Sequence, residues 1–361
     1  MRINHKIKSS LLAAGAVALS GLLSGCLMHD DLEPCAVPPT VTTSVDFIYD
    51  YNTKAADLFG EQVGSVTLYV FDHSGRLVGE ETRSGLTRGN RRIELDLAPG
   101  TYTAYAVALA HKGGYDASLA LPGAKFRRNG IGSLAPEGNA LLSLDRSNAL
   151  VEHAGVMLDT LWTSQAVRTL TVPEVGIPVE GDVQQPDIEV SATIPLMRVT
   201  NHLAVTFWQS DFPTLINPAY YDVRIEFPTG NGDLDLLGQP VGSGLLSYSP
   251  YKVSQVTKTQ QGVQTQCLTL EFGLSRLMVS ENARMVITNR ITGHVTTVDN
   301  LPRLLAEGRA AYDSFNWGEQ EYLDREYDYS IEFPLDDAMP RWVQVNVEVL
   351  GWAKRILNTD L

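Results

Sequence analysis

The sequence predicts an all-β protein, two tandem β-sandwich halves behind a lipoprotein leader. Three observations carry that prediction. Apolar and polar residues alternate over short stretches, as in Val66, Leu68 and Val70 against Thr67, Tyr69 and Phe71. Gly, Pro, Asn and Asp punctuate these stretches at short intervals. No regular alternation of strands with long helical patterns is present, which argues for a sandwich over an α/β fold. The expected division is a leader over 1–25, a tether over 26–40, and sandwiches over 41–190 and 191–361.

The leader opens with Arg2, Lys6 and Lys8 and continues as an apolar run from Leu11 to Leu23. That is the layout of a secretory signal peptide. It ends on Leu23-Ser24-Gly25-Cys26, an aliphatic residue, two small ones and a cysteine, which is the bacterial lipobox. Cleavage before Cys26 and acylation of that residue would place about three fatty chains on the new N-terminus. At roughly 0.8 kcal/mol per buried CH₂, such an anchor is effectively permanent. The plain alternative is an ordinary signal peptide with an incidental cysteine.

The tether, LMHDDLEPCAVPPT after Cys26, carries Asp30, Asp31 and Glu33, and prolines keep it extended. Among 361 residues, 42 acids face 28 bases, a formal charge of −14. Loss of the leader, which holds three bases and no acid, takes it to −17. A chain so acidic is repelled by nucleic acid, and no basic patch with interleaved aromatics offsets that. No apolar run after Leu23 approaches the roughly 18 residues that span a membrane. With Cys26 acylated, Cys35 and Cys267 form an even pair that a disulfide could join in an exported protein; two separate thiols are the alternative.

Strands are expected from Val41 to Phe47, from Val66 to Phe71, and back from Leu77 to Glu81 through Asp72-His73-Ser74-Gly75. Ile93 to Leu97 alternates. Ala98-Pro99-Gly100 then turns the chain into Tyr102 to Ala110, apolar on both faces and so central. Residues 111–150 read as loops with a short helix. Strand character returns over Val167 to Val172, and prolines mark a seam near 185–192. Ile194 to Phe207, Asp222 to Phe227 and Cys267 to Phe272 read as strands, and Arg284 to Val298 as a hairpin. Leu301 to Phe315 has helical spacing. Tyr327 to Phe333 and Trp342 to Leu350 close the β pattern.

Motifs for chemistry are missing: no Cys-x-x-Cys, His-Glu-x-x-His, Gly-x-Ser-x-Gly or P-loop occurs. Gly130 to Ala135 matches a loose dinucleotide fingerprint, but no strand precedes it and Pro136 follows. Asp233 and Asp235 hint at a calcium loop that lacks its twelfth-position glutamate, so a solvated turn is expected. The run Glu319, Glu321, Asp324, Glu326, Asp328 reads as a wet face. His202 reads as a packed or strand-surface histidine. Neither an enzymatic activity nor a metal or other cofactor is expected.

Several stretches in order resemble the anchor-lipoprotein family of Bacteroides-type (type V) fimbriae. They are VDFIYDYNTKAADLFGEQVGSVTLYVFD over 45–72, LAPGTYTAYAVA over 97–108, LMRVTN over 196–201 and QEYLDREYDYSIEF over 320–333. At the end, Gly351-Trp352 is kept while the family's asparagine stands earlier, at Asn346. The resemblance implies two transthyretin-like or immunoglobulin-like sandwiches, outer-membrane attachment through lipid on Cys26, and association with fimbrial shaft subunits. Acids just after the acylated cysteine resemble the surface-export signal of such lipoproteins. An exposed sheet edge accepts an added strand. The C-terminal segment, with Trp352, Ile356, Leu357 and Leu361, is therefore expected near the face that meets the shaft; the plain alternative is a last strand of the second sandwich. The competing readings are a fimbrial tip or adhesin subunit and a surface glycan binder. The glycan reading would use Trp162, Trp208, Trp317, Trp342 or Trp352 as a sugar platform.

Overall fold

In the computed structural model, the described residues are 37–112, 124–132, 135–178, 184–209, 216–260, 262–335, 344–349 and 352–357. The leader, Cys26, Cys35, Trp342 and Leu361 lie outside them, as do Ser133 and Leu134 of the loose dinucleotide match. Contacts group 42–173 with 189–361 into one unit. Within the smaller grouping, which holds 37–41 and 174–188, the Val37 amide donates to Gln184 Oε1 at 2.9 Å and the Ile188 amide to the Thr40 carbonyl at 2.8 Å.

The chain is mostly strand, as its alternation predicts. β1 (Val41–Ile48) leads through the single-turn helix α1 (Phe59–Gln62) to β2 (Ser65–Asp72). β3 (Leu77–Ser84) returns antiparallel through a turn that Asp72 organises. The Asp72 carboxylate accepts the Ser74 amide at 2.9 Å and the Arg76 amide at 3.0 Å, and Gly75 takes φ +79°. β4 (Arg92–Leu95) and β5 (Gly100–Leu109) follow. β5 is central, as its two apolar faces require: it pairs with β2, with β9 (Leu161–Ser164) and with β10 (Arg168–Val172).

Between β5 and β9 lie the short strands β6 (Phe126–Arg128), β7 (Leu142–Leu144) and β8 (Leu150–Val151). This corrects the expectation of loops with a helix over 111–150; no helix occurs there among the described residues. β7 pairs with β14 (Asp233–Leu234), and β8 pairs parallel with β15 (Leu246–Tyr248). Strands of two or three residues carry almost no periodic signal, and their partners stand about ninety residues away.

Ile194 to Phe207, expected as one strand, is two. β11 (Ile188–Arg198) lies between β9 and β1 in the first sheet, and β12 (Thr200–Gln209) begins another. Val199 separates them, its amide held by the Leu161 carbonyl at 2.9 Å. Beyond it come β13 (Tyr221–Phe227), β16 (Lys252–Gln260), β17 (Val263–Ser275), β18 (Arg284–Asn289) and β19 (Val295–Val298). The helical spacing after Leu301 forms α2 (Leu301–Ala306) and a 3₁₀ stretch, Glu307–Phe315; α3 (Glu319–Arg325) follows. β20 (Asp328–Leu335), β21 (Gln344–Val349) and β22 (Trp352–Leu357) complete the chain. The sheets run β3-β2-β5-β9-β11-β1-β4, with β10 beside β5; β16-β17-β12-β20-β21-β22; β19-β18-β13-β15-β8; and β14-β7-β6.

The period of two sorts side chains between two cores. Val66, Leu68 and Val70 of β2, with Ala104, Ala106 and Ala108 of β5, enter a core built on Val45, Phe47, Phe59 and Trp162. Tyr69 and Phe71, with Tyr105, Val107 and Leu109, enter the larger core that also holds Val205, Phe207, Phe272 and Phe333. At β2 and β5 the first sheet is therefore buried on both faces.

Of the two acidic stretches expected in water, Asp233 and Asp235 are buried, and in the run from Glu319 to Asp328 so are Asp324 and Glu326, while Asp328 stays exposed. Asp233 and Asp235 are almost wholly covered. Arg146 forks onto Asp233 at 2.8 and 3.0 Å, and Asp235 accepts the amides of Leu237, Gln239 and Gly138. Asp324, from the expected wet run, faces Arg276 in a two-bond pair at 2.9 and 3.0 Å, both side chains under 10% exposed. Arg276 also donates to the Gly238 carbonyl at 2.9 Å, and Gln320 donates to Asp324 at 3.0 Å. Removing one member of such a pair strands a charge in the interior. Asp324→Ala is expected to lower unfolding stability by roughly 3–5 kcal/mol, measured by urea denaturation. Arg276→Met combined with Asp324→Leu should cost less than Asp324→Ala alone.

Candidate functional site

The C-terminal hairpin forms one end of the six-stranded sheet. β21 attaches to β20 at Ile331↔Val347 and Glu332↔Asn346. β22 pairs antiparallel with β21 from Gln344↔Leu357 to Val349↔Trp352. Among the described residues β22 has no second neighbour, so its outer backbone edge is open. Trp352, Ile356 and Leu357 are all strand residues of this edge. Lys354 and Arg355 stand between them at positions opposite Val347 and Asn346.

The hairpin is carried by β20, and β20 is set by β12. The two run parallel from His202↔Asp328 to Gln209↔Leu335, while β17 flanks β12 antiparallel from Thr200↔Ser275 to Phe207↔Leu268. A charged cluster joins these three strands at one end. His202 Nδ1 lies 2.7 Å from Asp328 Oδ1 and Nε2 lies 3.4 Å from a Glu271 oxygen. Glu271 also accepts the Tyr251 hydroxyl at 2.6 Å and the Lys252 ammonium at 2.6 Å. The hydrogen bond that His202 donates to Asp328 raises the His202 pKa above its ordinary value, against the opposing effect of burial. Burial alone would raise Glu271, but Lys252 and Tyr251 outweigh it and hold the carboxyl below its usual range. His153, packed beside Tyr248 and Tyr251, is buried and pushed down to about 4, so it stays uncharged at neutral pH.

The other residues singled out from sequence fall apart spatially. Cys267 is buried in β17 opposite Val256, its Sγ 3.7 Å from the Thr265 carbonyl. Trp162 and Trp208 are core residues, 1% and 5% exposed. Trp317 stacks on Phe315 at 4.7 Å with Arg325 over its ring at 5.0 Å. Three of the five tryptophans thus have their faces engaged by the protein itself. His202 was legible as a strand histidine, but its partners Glu271 and Asp328 lie 69 and 126 residues away, and no local spacing predicts them.

The match to known proteins follows this geometry. The family model of the fimbrillin-A associated anchor proteins Mfa1 and Mfa2 matches residues 32–358. The chain belongs to that family. The resemblance read from the ordered motifs is thereby shown. No curated protein matches the sequence significantly. Among solved structures, a candidate polysaccharide-binding protein of Bacteroides thetaiotaomicron is 27% identical, covering 88% of this chain and 98% of its own, with a TM-score of 0.64. A candidate adhesin of the same organism is 21% identical over 90% and 100%, also at 0.64. The fimbrial anchor protein Mfa2 of Porphyromonas gingivalis is 17% identical over 88% and 98%, at 0.56. The all-β architecture is shared with all three. Membership makes this chain a fimbrial, cell-surface protein of a structural rather than an enzymatic family.

The charged cluster gives a pH prediction. Protonated His202 faces Asp328 and Glu271 together, so its contribution to stability is complete below the unfolded-state pKa of about 6.5 and is lost as pH rises through its raised folded value. His202→Gln should cost more stability near pH 5.5 than near pH 9. Equal costs at both, by denaturant titration, would contradict the assignment.

Proposed function

We propose that this protein is the anchoring, length-limiting subunit of a cell-surface fimbrium, held to the outer membrane by lipid on Cys26. Family membership over 32–358 carries the reading, and the lipobox ending at Cys26 supplies the means of attachment. The body would be two tandem transthyretin- or immunoglobulin-like sandwiches, divided near residue 190. The acidic tether would direct surface export, and the protein would have no enzymatic role. A bond between Cys35 and Cys267 would link the tether to β17. The C-terminal segment, with Trp352, Ile356, Leu357 and Leu361, would meet the shaft. The open edge of β22 supports that reading, because an edge offers unpaired amides and carbonyls to an incoming strand.

The second reading, a surface glycan binder, is favoured by the 27% identical relative described as a candidate polysaccharide-binding protein. Pull-down of the mature protein from surface-labelled cells separates the two. Recovery of a shaft subunit supports the anchor, and recovery of a glycan-uptake porin supports the binder. Deleting residues 354–361 is expected to release the shaft while the folded body stays on the membrane; unchanged shaft retention would overturn the docking role of that segment. Cys26→Ser should abolish incorporation of labelled fatty acid and release the protein from the membrane fraction.

A further inference from the structure

A cleft of about 370 Å³ opens where the chain passes from β11 to β12, lined chiefly by Met157, Trp162, Arg198, His202, Tyr327 and Asp328. That volume lies at the lower end of the roughly 300–1,000 Å³ range of small-ligand sites. Two of its residues, His202 and Asp328, belong to the charged cluster of β12, β17 and β20.

Arg198 sets its chemistry. The residue ends β11 opposite Trp162. Its guanidinium lies 4.0 Å from the centre of the Tyr327 ring, and its Nε donates to the Thr200 carbonyl at 3.0 Å. Tyr327 is fixed in turn: its hydroxyl accepts from Gln62 at 3.4 Å, and its carbonyl accepts the His202 amide at 2.8 Å. Among the described residues no carboxylate forms an ion pair with Arg198, unlike Arg146 and Arg276, which are both matched. A largely buried guanidinium, held in one pose and without an ion-pair partner among the described residues, is a ready receptor for a planar anion, above all a carboxylate.

Asp328 limits which carboxylate fits. Its side chain is 67% exposed at the same cleft; Oδ1 is engaged by His202 Nδ1 at 2.7 Å, and the other oxygen, as part of an ionised carboxylate, can only accept hydrogen bonds. A bare acidic side chain would meet repulsion there. A ligand that joins a carboxylate to hydroxyl donors would satisfy both groups. Met157, 41% exposed at the cleft, offers an apolar surface that suits the C–H face of a sugar ring. We infer that this cleft binds a single carboxylate-bearing sugar residue, a hexuronate, with its carboxylate on Arg198 and its hydroxyls toward Asp328. The site is independent of the anchoring role and makes no use of the C-terminal edge.

The test uses the mature chain with Cys26→Ser, titrated with D-glucuronate, D-glucose and N-acetylglutamate by saturation-transfer NMR and tryptophan fluorescence. Glucuronate should bind at least tenfold more tightly than either comparator. Arg198→Gln and Asp328→Asn should each weaken glucuronate about tenfold. Arg198→Lys, which keeps the charge and loses the fork, should fall between, and it reports on the site if Arg198→Gln fails to fold. Equal binding of glucose would overturn the role of Arg198. N-acetylglutamate binding as tightly as glucuronate would overturn the sugar assignment. Full affinity in folded Arg198→Lys and Asp328→Asn, or no glucuronate binding by the parent chain, would overturn the site.

Discussion

The buried pairing of Arg276 with Asp324 is the constraint on which much of the second half depends. Arg276 directly follows β17, Asp324 lies in α3, and the Gly238 carbonyl that Arg276 also holds belongs to the loop after β14. Asn231 donates to the Arg276 carbonyl and accepts the Tyr248 hydroxyl, so β15 joins the same network. Two charges taken out of water recover their solvation only when the geometry leaves few alternatives. The network therefore ties the ends of β17 and α3 to the segments around β14 and β15. It also fixes where α3 releases the chain into β20.

From there the order of the six-stranded sheet follows. β12 receives β17 on one side and β20 on the other, and the His202, Asp328 and Glu271 cluster marks their common end. Large aromatic side chains fill the layer behind them, Phe207 stacking on Phe333 at 5.8 Å and meeting Tyr221 edge-on at 5.7 Å. The C-terminal hairpin is then an extension of an already fixed sheet, joined to β20 through two registered positions.

Alternation made the long strands legible. β13 buries every second residue, and β2 and the second half of β5 are buried on both faces; the first reads as alternation and the others as near-continuous apolar or β-branched runs, and both patterns survive in sequence. The strands β6, β7, β8 and β14 were not legible, because each is too short to show a period; β7 with β14 and β8 with β15 also pair across some ninety residues. The break at Val199 was hidden for a different reason: IPLMRVTNHLAVTF is a continuous β-former, and the change of sheet is imposed by β9 on one side and β17 on the other. Buried carboxylates were the commonest misreading. Asp233, Asp235 and Asp324 look solvated in sequence because their compensating arginines and backbone amides come from elsewhere in the chain. The leader and the order of family motifs, being local text, were readable without any fold.

The parallel register of β12 and β20 has a mechanical consequence. The chain enters β12 at His202's end and leaves β20 at Leu335, the opposite end of the shared ladder. Tension applied between the N-terminal side of β12 and the C-terminal side of β20 pulls the two strands in opposite directions along their own axes. Eight registered positions then carry the load together in shear, and no single terminal hydrogen bond can yield before the others. The attachment of β21, by contrast, spans two registered positions. A load that enters through the C-terminal hairpin instead would peel it away before the ladder that carries it slides.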